Sequence, residues 1–539
     1  MEKKADLTNY RNKKVLMDEA QSLIDYIFEQ AKSGKAIHEV EQDIFSKLLT
    51  MGHQALGQFI VLQGNGDMGE QLELSSGKTV KRLPEPQKRV YRSIFGIYEL
   101  ERVVYGTREG QKVEFIPLDS RLQLPETRFS YLLQDWNQQL SVENPFNQVN
   151  KVLDRILQFK QPVDSIEKMT YQGAETVEDF RNSLPAIKPD EEHDIIVATA
   201  DGKGVPVVTK VTEKKIETHK PKKGPKPDKK KMAIVGSAYS IAPNKRTPEE
   251  VIRSLFQNSS GSKDNKPRNK PLNKRVRASL TRTENSQDIN ATEEIFNWLV
   301  TENEQRNPDN IKPVVIIMDG QPSLWTAAEK LPDKRIEILD LLHATPRIWD
   351  AAGLFYNKHE EKLEFIEDRV LRILQGKVKG VIRGLKQMAS KRKLSKKKTE
   401  KLRKICNYLK KNQDRMHYHQ YLEKGYPIAS GVIEGACRHF VKDRMERAGM
   451  RWTIKGAQAM LDIRSVHLNE QWNEFTKFRI NKLNNELYPD HKLVEKYDWK
   501  IVAYRGAGDR SRPIASHFTL FYFIWKNQAV QLFLSVDSR

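Results

Sequence analysis

Two aspartates stand directly after runs of apolar residues, and a glycine follows each of them. Asp201 follows the run Ile-Ile-Val-Ala-Thr-Ala, and Asp319 follows the run Val-Val-Ile-Ile-Met. Apolar runs of this length, bounded by turn residues, predict strands that are buried on both faces. Because open α/β sheets bind ligands at the carboxyl ends of such strands, we expect the two carboxylates to meet at one sheet edge. The alternative is that each Asp-Gly pair is only a turn signal.

A third acid, Glu434, lies in the first turns of a predicted helix that begins after a stretch rich in proline and glycine. Arg438, Val441, Lys442 and Met445 follow it at three- and four-residue steps, so they are expected on the same helix face. The sequence therefore predicts one acid held by a helix and two acids held by strands.

Three carboxylates gathered at one sheet edge repel one another unless a cation lies between them. Hard divalent cations prefer oxygen ligands, and Mg²⁺ binds through a few carboxylates together with water and phosphate. Two such ions about 3.5–4 Å apart can activate an attacking oxygen and stabilise the leaving oxygen in an in-line displacement at phosphorus. We therefore predict that Asp201, Asp319 and Glu434 bind Mg²⁺ or Mn²⁺, with two ions per site. Each acid has an alternative role as a helix cap or as a partner in a surface salt bridge.

The chain of 539 residues is strongly basic, with 92 Lys and Arg against 71 Asp and Glu and a formal charge of +21. This surplus favours a polyanionic partner such as nucleic acid, and its alternative is a solvated basic surface. The two cysteines, Cys406 and Cys437, exclude a disulfide framework and a four-cysteine zinc site, which is typical of a reducing cytoplasm. No apolar signal region and no apolar stretch near 18 residues occurs, so we expect no membrane span.

The N-terminal third is predicted to be mainly helical. Apolar residues recur at three- and four-residue steps through residues 13–62. The period of the apolar residues changes at residues 88–105, which predicts a β-hairpin that turns near Gly96. This hairpin either forms a small structural sheet or contacts DNA. Residues 128–185 give three helical segments, which fit a helix-turn-helix unit or any small helical bundle.

Strands and helices alternate around the two aspartates, which predicts an α/β layer sheet. Polar basic tracts at 214–231 and 257–290 are expected to be loops because they cannot bury a core. Residues 345–424 are predicted to be helical and very basic, with a solvated or a phosphate-contacting surface at 391–404. The further strands are expected at 205–211, 232–241 and 335–339, and the further helices at 292–299, 323–331 and 455–476.

The segment 430–452, Ser-Gly-Val-Ile-Glu-Gly-Ala-Cys-Arg-His-Phe-Val-Lys-Asp-Arg-Met-Glu-Arg-Ala-Gly-Met-Arg-Trp, resembles the C-terminal catalytic motif of the ISKra-type insertion-sequence transposases. These are DDE transposases with an RNase H-like core. The Ala-Asp-Gly-Lys-Gly-Val segment at Asp201 and the Ile-Met-Asp-Gly segment at Asp319 look like the first and second acidic motifs of that family, and Glu434 falls where the family carries its glutamate. Asp340-Leu-Leu-His343 is similar to an Asp-x-x-His element of several related transposase superfamilies.

The resemblance covers residues 85–475, and the tail beyond residue 480 has no counterpart in the family. It implies an α/β fold, with an RNase H-like mixed sheet flanked by helices, an all-α insertion and a mainly helical N-terminal DNA-binding region. The implied domains are a helical region with a small β-hairpin at 1–125, a helix-turn-helix-like DNA-binding domain at 126–190, a catalytic core at 191–344 and 425–475, a basic helical insertion at 345–424, and a tail of unknown role at 476–539.

The activity that the resemblance implies is DNA transposition of a bacterial insertion sequence. Such a protein binds the terminal inverted repeats of its element, cleaves DNA with metal-activated water, and joins the resulting 3′-hydroxyl to target DNA. It would act on double-stranded DNA at the nucleoid as a homo-oligomer, at least a dimer. Asp201, Asp319 and Glu434 would be the catalytic metal ligands. Asp340 and His343 would support them or handle the strand, unless Asp340 only caps the following helix.

Basic and aromatic residues beside these acids are predicted to contact DNA, with Arg438 and Lys442 facing the scissile phosphate or else pairing with surface acids. Two other functions remain possible on the same core. One is a catalytically silent DNA-binding repressor derived from a transposase, and the other is a structure-specific nuclease that cuts without joining. The presence of all three acids favours activity. The predicted DNA-contacting residues are Lys203, Arg438, His439, Lys442, Arg444, Arg451 and Trp452.

Overall fold

The computed structural model describes residues 4–5, 13–107, 113–208, 230–256, 269–447, 450–497 and 499. The chain forms two compact units, residues 1–128 with 488–539 and residues 129–487. Most of the predicted loop at 214–231 and the tail from residue 500 onward lie outside the described residues. Among the helices that are described, none is both long and apolar enough to cross a membrane.

The elements are numbered along the chain. The strands are β1 (Lys4–Ala5), β2 (Gln71–Glu73), β3 (Thr79–Arg82), β4 (Gln87–Ser93), β5 (Gly96–Arg102), β6 (Tyr105–Gly106), β7 (Ile195–Pro206), β8 (Lys230–Ile241), β9 (Leu272–Leu280), β10 (Arg282–Glu284), β11 (Gln287–Ile289), β12 (Val314–Met318) and β13 (Ile336–Leu339). The helices are α1 (Lys13–Ser33), α2 (Ile37–Leu62), α3 (Pro117–Leu122), α4 (Tyr131–Glu143), α5 (Phe146–Leu157), α6 (Val163–Ala174), α7 (Val177–Ser183), α8 (Pro248–Phe256), α9 (Ala291–Arg306), α10 (Pro322–Ala328), α11 (Leu341–Phe355), α12 (His359–Leu374), α13 (Val378–Lys391), α14 (Lys396–Lys411), α15 (Tyr418–Glu423), α16 (Gly431–Ala436), α17 (Asp443–Met445), α18 (Ile454–Leu468), α19 (Trp472–Leu487) and α20 (His491–Glu495).

The first unit contains the helical pair α1–α2 and the hairpin β4–β5. The helical stripes predicted for residues 13–62 are confirmed as these two helices. The hairpin is also confirmed, because β4 and β5 pair antiparallel up to Ser93 and Gly96. Gly96 has φ +137°, and a Cβ at this position would lie 2.7 Å from Nδ1 of His53. The turn therefore needs a glycine, both for its backbone conformation and for space.

The second unit is built around a five-stranded mixed sheet in the order β13-β12-β7-β8-β9. β12 and β13 run parallel to β7, whereas β8 pairs antiparallel with both β7 and β9. β12 is buried along its whole length because helices cover both faces of the sheet. The predicted mixed α/β architecture flanked by helices is confirmed.

Alternate residues of the central strands face opposite helical layers, as the two-residue period of a strand requires. On one face Val315 and Ile317 pack in a core with helices α11–α15. On the other face Ile316 and Met318 pack with α9 and α10. Further along β7, Val205 joins a separate core with the segment that contains α16 and α18. The sheet thus fixes these helices relative to the ends of its parallel strands.

β7 is longer than the sequence predicts. A strand end at the Asp201–Gly202 pair was expected, and this is wrong, because β7 continues to Pro206. β8 pairs with it over this whole extension, as far as Lys230 opposite Pro206. β12, in contrast, ends its pairing one residue before Asp201. Asp201 therefore lies inside β7, at the point where the neighbouring strand leaves the sheet.

The loop expected at 257–290 is also corrected, because residues 272–289 form β9, β10 and β11. β9 is an edge strand whose outer backbone groups are satisfied by side-chain amides. The backbone N–H of Leu280 donates to Oε1 of Gln458 at 2.9 Å, and that of Val276 donates to Oδ1 of Asn469 at 2.8 Å. An edge closed in this way tolerates the polar, basic composition that suggested a loop.

The helices predicted at 345–424 are confirmed as α11–α15, whose apolar faces form one core with the sheet. The single helix expected at 455–476 is instead two helices, α18 and α19. Glu470 between them has φ 60°, a left-handed conformation that ends the first helix. α18 packs against β9 and against α4 and α6, so the segment at 129–190 belongs to the same compact unit as the sheet.

Candidate catalytic site

Three aspartates occupy neighbouring positions where the parallel pairing of β7, β12 and β13 ends. Met318 of β12 pairs with the β7 residue before Asp201 on one side and with the β13 residue before Asp340 on the other. Asp319 follows Met318, so it lies between the other two acids. Adjacent strands are about 4.8 Å apart, so the backbones of the three acids are neighbours. The sequence predicted the neighbourhood of Asp201 and Asp319, and the strand pairing confirms it.

Asp201 and Asp319 are both partly buried and are oriented by short backbone hydrogen bonds. Oδ1 of Asp201 accepts from the N–H of Gly202 at 2.7 Å, and Oδ1 of Asp319 accepts from the N–H of Gln321 at 2.8 Å. No basic side chain among the described residues pairs with either acid, in a chain that is otherwise rich in cations.

Asp340 is fully buried and caps α11. Its Oδ1 accepts from the N–H of Leu342 at 2.8 Å, and its Oδ2 accepts from the hydroxyl of Ser430. Nε2 of His343 lies 4.0 Å from the same Oδ2. Burial raises the pKa of Asp340, although the hydrogen bonds from Ser430 and Leu342 oppose the increase. The structure therefore shows the alternative role of Asp340 as a helix cap. It also shows that Asp340 connects α11 to the turn that leads into α16.

We expect Asp340→Ala to lower the free energy of unfolding by about 2 kcal/mol, because it removes a helix cap and leaves the Ser430 hydroxyl and the Leu342 N–H without their acceptor. Asp340→Asn keeps an acceptor for the Leu342 N–H, and its amide N–H can donate to the Ser430 hydroxyl, so it should cost much less. Urea unfolding of both variants and the parent in EDTA measures the difference. Equal losses in the two variants would show that the charge, rather than the cap, matters at this position.

The difference in unfolding free energy between the parent and Asp340→Asn should also depend on pH. Because the folded state raises the pKa of Asp340, it binds the proton more tightly than the unfolded state does. This contribution to stability is fully present below the unfolded pKa of about 4 and is lost as the pH rises through the folded value. Asn does not titrate, so Asp340→Asn should gain stability relative to the parent over that window and hold the gain above it. An increase in the stability of the parent relative to Asp340→Asn as the pH rises would contradict this prediction.

α16 brings the backbone of Glu434 to the same region of the sheet. The helix packs against β7 and β8, and Ile433, beside Glu434, is 1% exposed in the core with Val205 and Val235. The side chain of Glu434 lies outside what the structure describes. The role of Glu434 as a metal ligand therefore stays a prediction, supported by the position of its helix.

The helix face predicted around Glu434 is corrected. Val441 and Met445 are fully buried, whereas Arg438 and Lys442 are exposed, so these four residues do not share one face. The cause is a turn of π-helix at Cys437–Lys442 between α16 and α17. Its wider winding shifts the phase of the residues beyond it relative to a regular α-helix, and such turns often occur at functional sites.

The predicted DNA-contacting residues divide into exposed and buried groups. Arg438, Lys442 and Arg451 are exposed, and Lys203 is partly buried on β7. His439 is exposed, and its Nδ1 lies 2.9 Å from Oδ2 of Asp443. The exposed residues remain candidates for contact with a phosphate backbone.

Arg444 and Trp452 lie in the interior instead. Arg444 is 1% exposed, and its Nε donates to the carbonyl oxygen of Ser141 at 2.7 Å. Its guanidinium lies 4.9 Å from the Trp452 ring and 5.4 Å from the Phe146 ring. Burial, reinforced by the charges of nearby arginines, lowers the pKa of Arg444 to about 9. The structure gives Arg444 a packing role between helices in place of the predicted DNA contact.

Sequence reasoning missed two residues beside the acids, Arg347 of α11 and Tyr408 of α14. The Tyr408 ring lies against Gly320, where an added Cβ would be 2.4 Å from Cε2 of the tyrosine. The guanidinium of Arg347 lies 4.9 Å from the centroid of that ring. The sequence carries a signal only for Tyr408, as one part of a helical apolar stripe, so neither residue could be placed without the fold.

The donor atoms at this site fit a hard divalent cation. The described residues contain no group of three or more His, Cys, Asp or Glu side chains arranged to hold a metal ion, and the side chain of Glu434 is not among those residues. Asp201 and Asp319 nevertheless place two carboxylates together without a basic partner. Two like charges on adjacent strands are unfavourable, and a divalent cation with oxygen ligands offsets their repulsion.

A separate cleft of about 1200 Å³ opens beside β9, α7, α9 and α18, and the aspartates of the candidate site do not line it. Its arginines already have carboxylate partners: Arg277 pairs with Glu178 at 2.8 Å, and Arg275 pairs with Glu302 at 3.2 Å. This arrangement is an internal ion-pair network that connects the edge strand to the helices. Its arginines thus differ from the acids at the strand ends, which have no basic partner among the described residues.

The structure is similar to a chain in a solved structure described as the Drosophila P element transposase strand transfer complex. The two chains are 11% identical, the match covers 69% of this chain and 88% of the other, and the TM-score is 0.21. No family model matches the chain, and no curated protein matches it. A structural likeness this distant carries no argument about function, so the chemistry of the site has to carry it.

Proposed function

We propose that the protein is a DNA transposase of a bacterial insertion sequence, with a catalytic core of the RNase H-like type. The observation that carries this proposal is the strand pairing that sets Asp201 of β7 beside the end of β12, which Asp319 follows, with the helix of Glu434 packed on β7 and β8. The sheet order β13-β12-β7-β8-β9, with only β8 and its pairings antiparallel, supports the RNase H-like assignment.

The proposed reaction is phosphoryl transfer at DNA phosphodiesters. Asp201, Asp319 and Glu434 would hold Mg²⁺ or Mn²⁺, which supplies activation of the attacking oxygen and stabilisation of the leaving oxygen when bound. Asp201 and Asp319 contribute fixed carboxylates because backbone N–H groups orient both of them. Asp340 anchors α11 to the turn before α16, so it positions the two segments that flank the site.

The proposed partner is double-stranded DNA, first the ends of the element and then the target. The exposed Arg438, Lys442 and Arg451 follow the acid-bearing helix and suit contact with phosphates. Many lysines of α14 are exposed as well, which extends the basic surface onto the helical insertion. A homo-oligomer, at least a dimer, would hold two element ends together.

The experiment is strand cleavage and joining with the full chain and labelled duplexes that carry the sequences flanking its gene. Cleavage should require Mg²⁺ or Mn²⁺, whereas Ca²⁺ should permit binding without cleavage. Undiminished cleavage in EDTA would exclude the metal-dependent mechanism. Cleavage without joining would indicate a structure-specific nuclease, and end-specific binding without cleavage would indicate a repressor.

A further inference from the structure

Helices α11 and α14 of the insertion meet beside the turn that follows Asp319. Nζ of Lys401 pairs with Oδ1 of Asp350 at 2.9 Å, and Nζ of Lys398 donates to the carbonyl oxygen of Leu354 at 3.4 Å. These contacts make the two helices antiparallel neighbours. The contact closest to the sheet is made by Arg347 and Tyr408, at the end of the pair that reaches the acids.

Tyr408 connects this helix pair to the turn after Asp319. Its ring and its hydroxyl both lie beside Gly320. Burial raises the pKa of Tyr408, the charge of Arg347 opposes the increase, and the charges of Asp319 and Asp340 add to it. The phenol of Tyr408 therefore lies close to Arg347, Asp319 and Asp340, at the edge of the candidate site.

Arg347 is exposed, and among the described residues it has no carboxylate partner. Two other basic residues of this region are paired: Lys401 with Asp350, and Arg415 with Glu337 at 2.6 Å. The flat guanidinium lies over the Tyr408 ring, 4.9 Å from its centroid. An arginine that stacks on an aromatic face keeps the N–H groups on its edge available, and two of them can bind one phosphate at once.

Arg347 follows His343 by one helical turn, so both residues lie on the same side of α11. Nε2 of His343 lies 4.0 Å from the carboxylate of Asp340. The side of α11 that carries His343 and Arg347 therefore begins beside the strand ends. A DNA strand bound at Asp201 and Asp319 would therefore meet Arg347 directly beyond the acids. The exposed lysines of α14 continue the positive surface in the same direction.

We propose that Arg347 binds a backbone phosphate of the DNA strand that flanks the reacting phosphodiester, and that Tyr408 is its positioning residue. This inference rests on the proposed function for the identity of the ligand. The helical insertion then has a defined task, since it supplies a phosphate contact that the sheet itself lacks. The ring of Tyr408 holds the guanidinium in place, and the same side chain packs against the turn that follows Asp319.

The test is the salt dependence of binding by the full chain to an element-end duplex in EDTA, where no cleavage occurs. Each phosphate contact contributes about 0.9 to the slope of log affinity against log salt concentration. Arg347→Ala should reduce the slope by about 0.9 and weaken binding about fivefold at 0.15 M salt. Arg347→Lys retains the charge and should keep most of the slope. Lys330→Ala, which removes one charge from the α10 side of the sheet, is the matched control and should leave the slope unchanged.

Tyr408 is tested through non-additivity. Tyr408→Ala should reduce the slope as Arg347→Ala does, and the double variant should lose no more, because both changes remove the same contact. Tyr408→Phe keeps the stacking surface and should retain the slope. Thermal unfolding of each variant separates loss of contact from loss of fold. A folded Arg347→Ala protein with the parent slope would overturn the proposal, even if the parent cleaves DNA. A parent that binds with the expected slopes but never cleaves would instead overturn the proposed function alone.

Discussion

Asp319→Asn should reduce DNA strand cleavage by about 10³-fold or more, because one of the charges that hold the catalytic metal is lost. Asn can still accept the hydrogen bond from the N–H of Gln321 through its side-chain oxygen, so the turn after β12 should keep its shape. Folding and binding to element-end DNA should therefore stay close to those of the parent. The measurement is single-turnover cleavage of a labelled end duplex in Mg²⁺, with binding followed in Ca²⁺.

The matched control is Asp309→Asn, which makes the same chemical change before the other end of β12. Asp309 is exposed and lies away from the strand ends that carry the acids. This variant should cleave like the parent. If Asp319→Asn also cleaves like the parent, Asp319 does not hold a catalytic metal, and the site proposed at the strand ends is wrong.

The central strands could be predicted because a run of mostly apolar residues indicates a buried strand. β12 is apolar at every position, and helices on both faces bury it, which leaves a single interpretation of its sequence. The strands β8 and β13 and the helices α9 and α10 were predicted in the same way. β9 could not be predicted, because its polar and basic residues are accommodated by an edge whose backbone is satisfied by Gln458 and Asn469. These partners lie far away along the chain, so local composition does not reveal them.

The site was predicted where it depends on strand ends and missed where it depends on packing between distant helices. Asp201 and Asp319 follow directly from their strands. Arg444 was predicted to contact DNA because it is a basic residue of the segment that carries Glu434. The structure buries it beside Ser141 and Trp452, and only the packing of distant helices shows this. Tyr408 could not be placed beside Gly320 from spacing, since only the packed insertion brings them together.

Glu434→Gln is the decisive change for the third acid, because the argument for this residue rests on its helix and on the family resemblance. Gln keeps the length of the side chain and one oxygen ligand but removes the charge that would bind metal. Catalysis should fall by about 10²–10³-fold, since stabilisation of the transition state depends on that charge. The fold should persist, because the neighbouring Ile433 anchors α16 in the core with Val205 and Val235. Neutralising one acid in a cluster of like charges also removes repulsion.

Cleavage and joining on a labelled end duplex, thermal unfolding and end binding should be measured together for this variant. Glu423→Gln is the matched control, because Glu423 is an exposed glutamate in the last turn of α15, just before the turn that leads into α16. It should retain the activity of the parent. Loss of cleavage with unchanged melting and binding would assign Glu434 to the metal site alongside Asp201 and Asp319. Cleavage at the parent rate, or loss of cleavage only through unfolding, would remove Glu434 from the site and leave the two strand aspartates in need of a different third ligand.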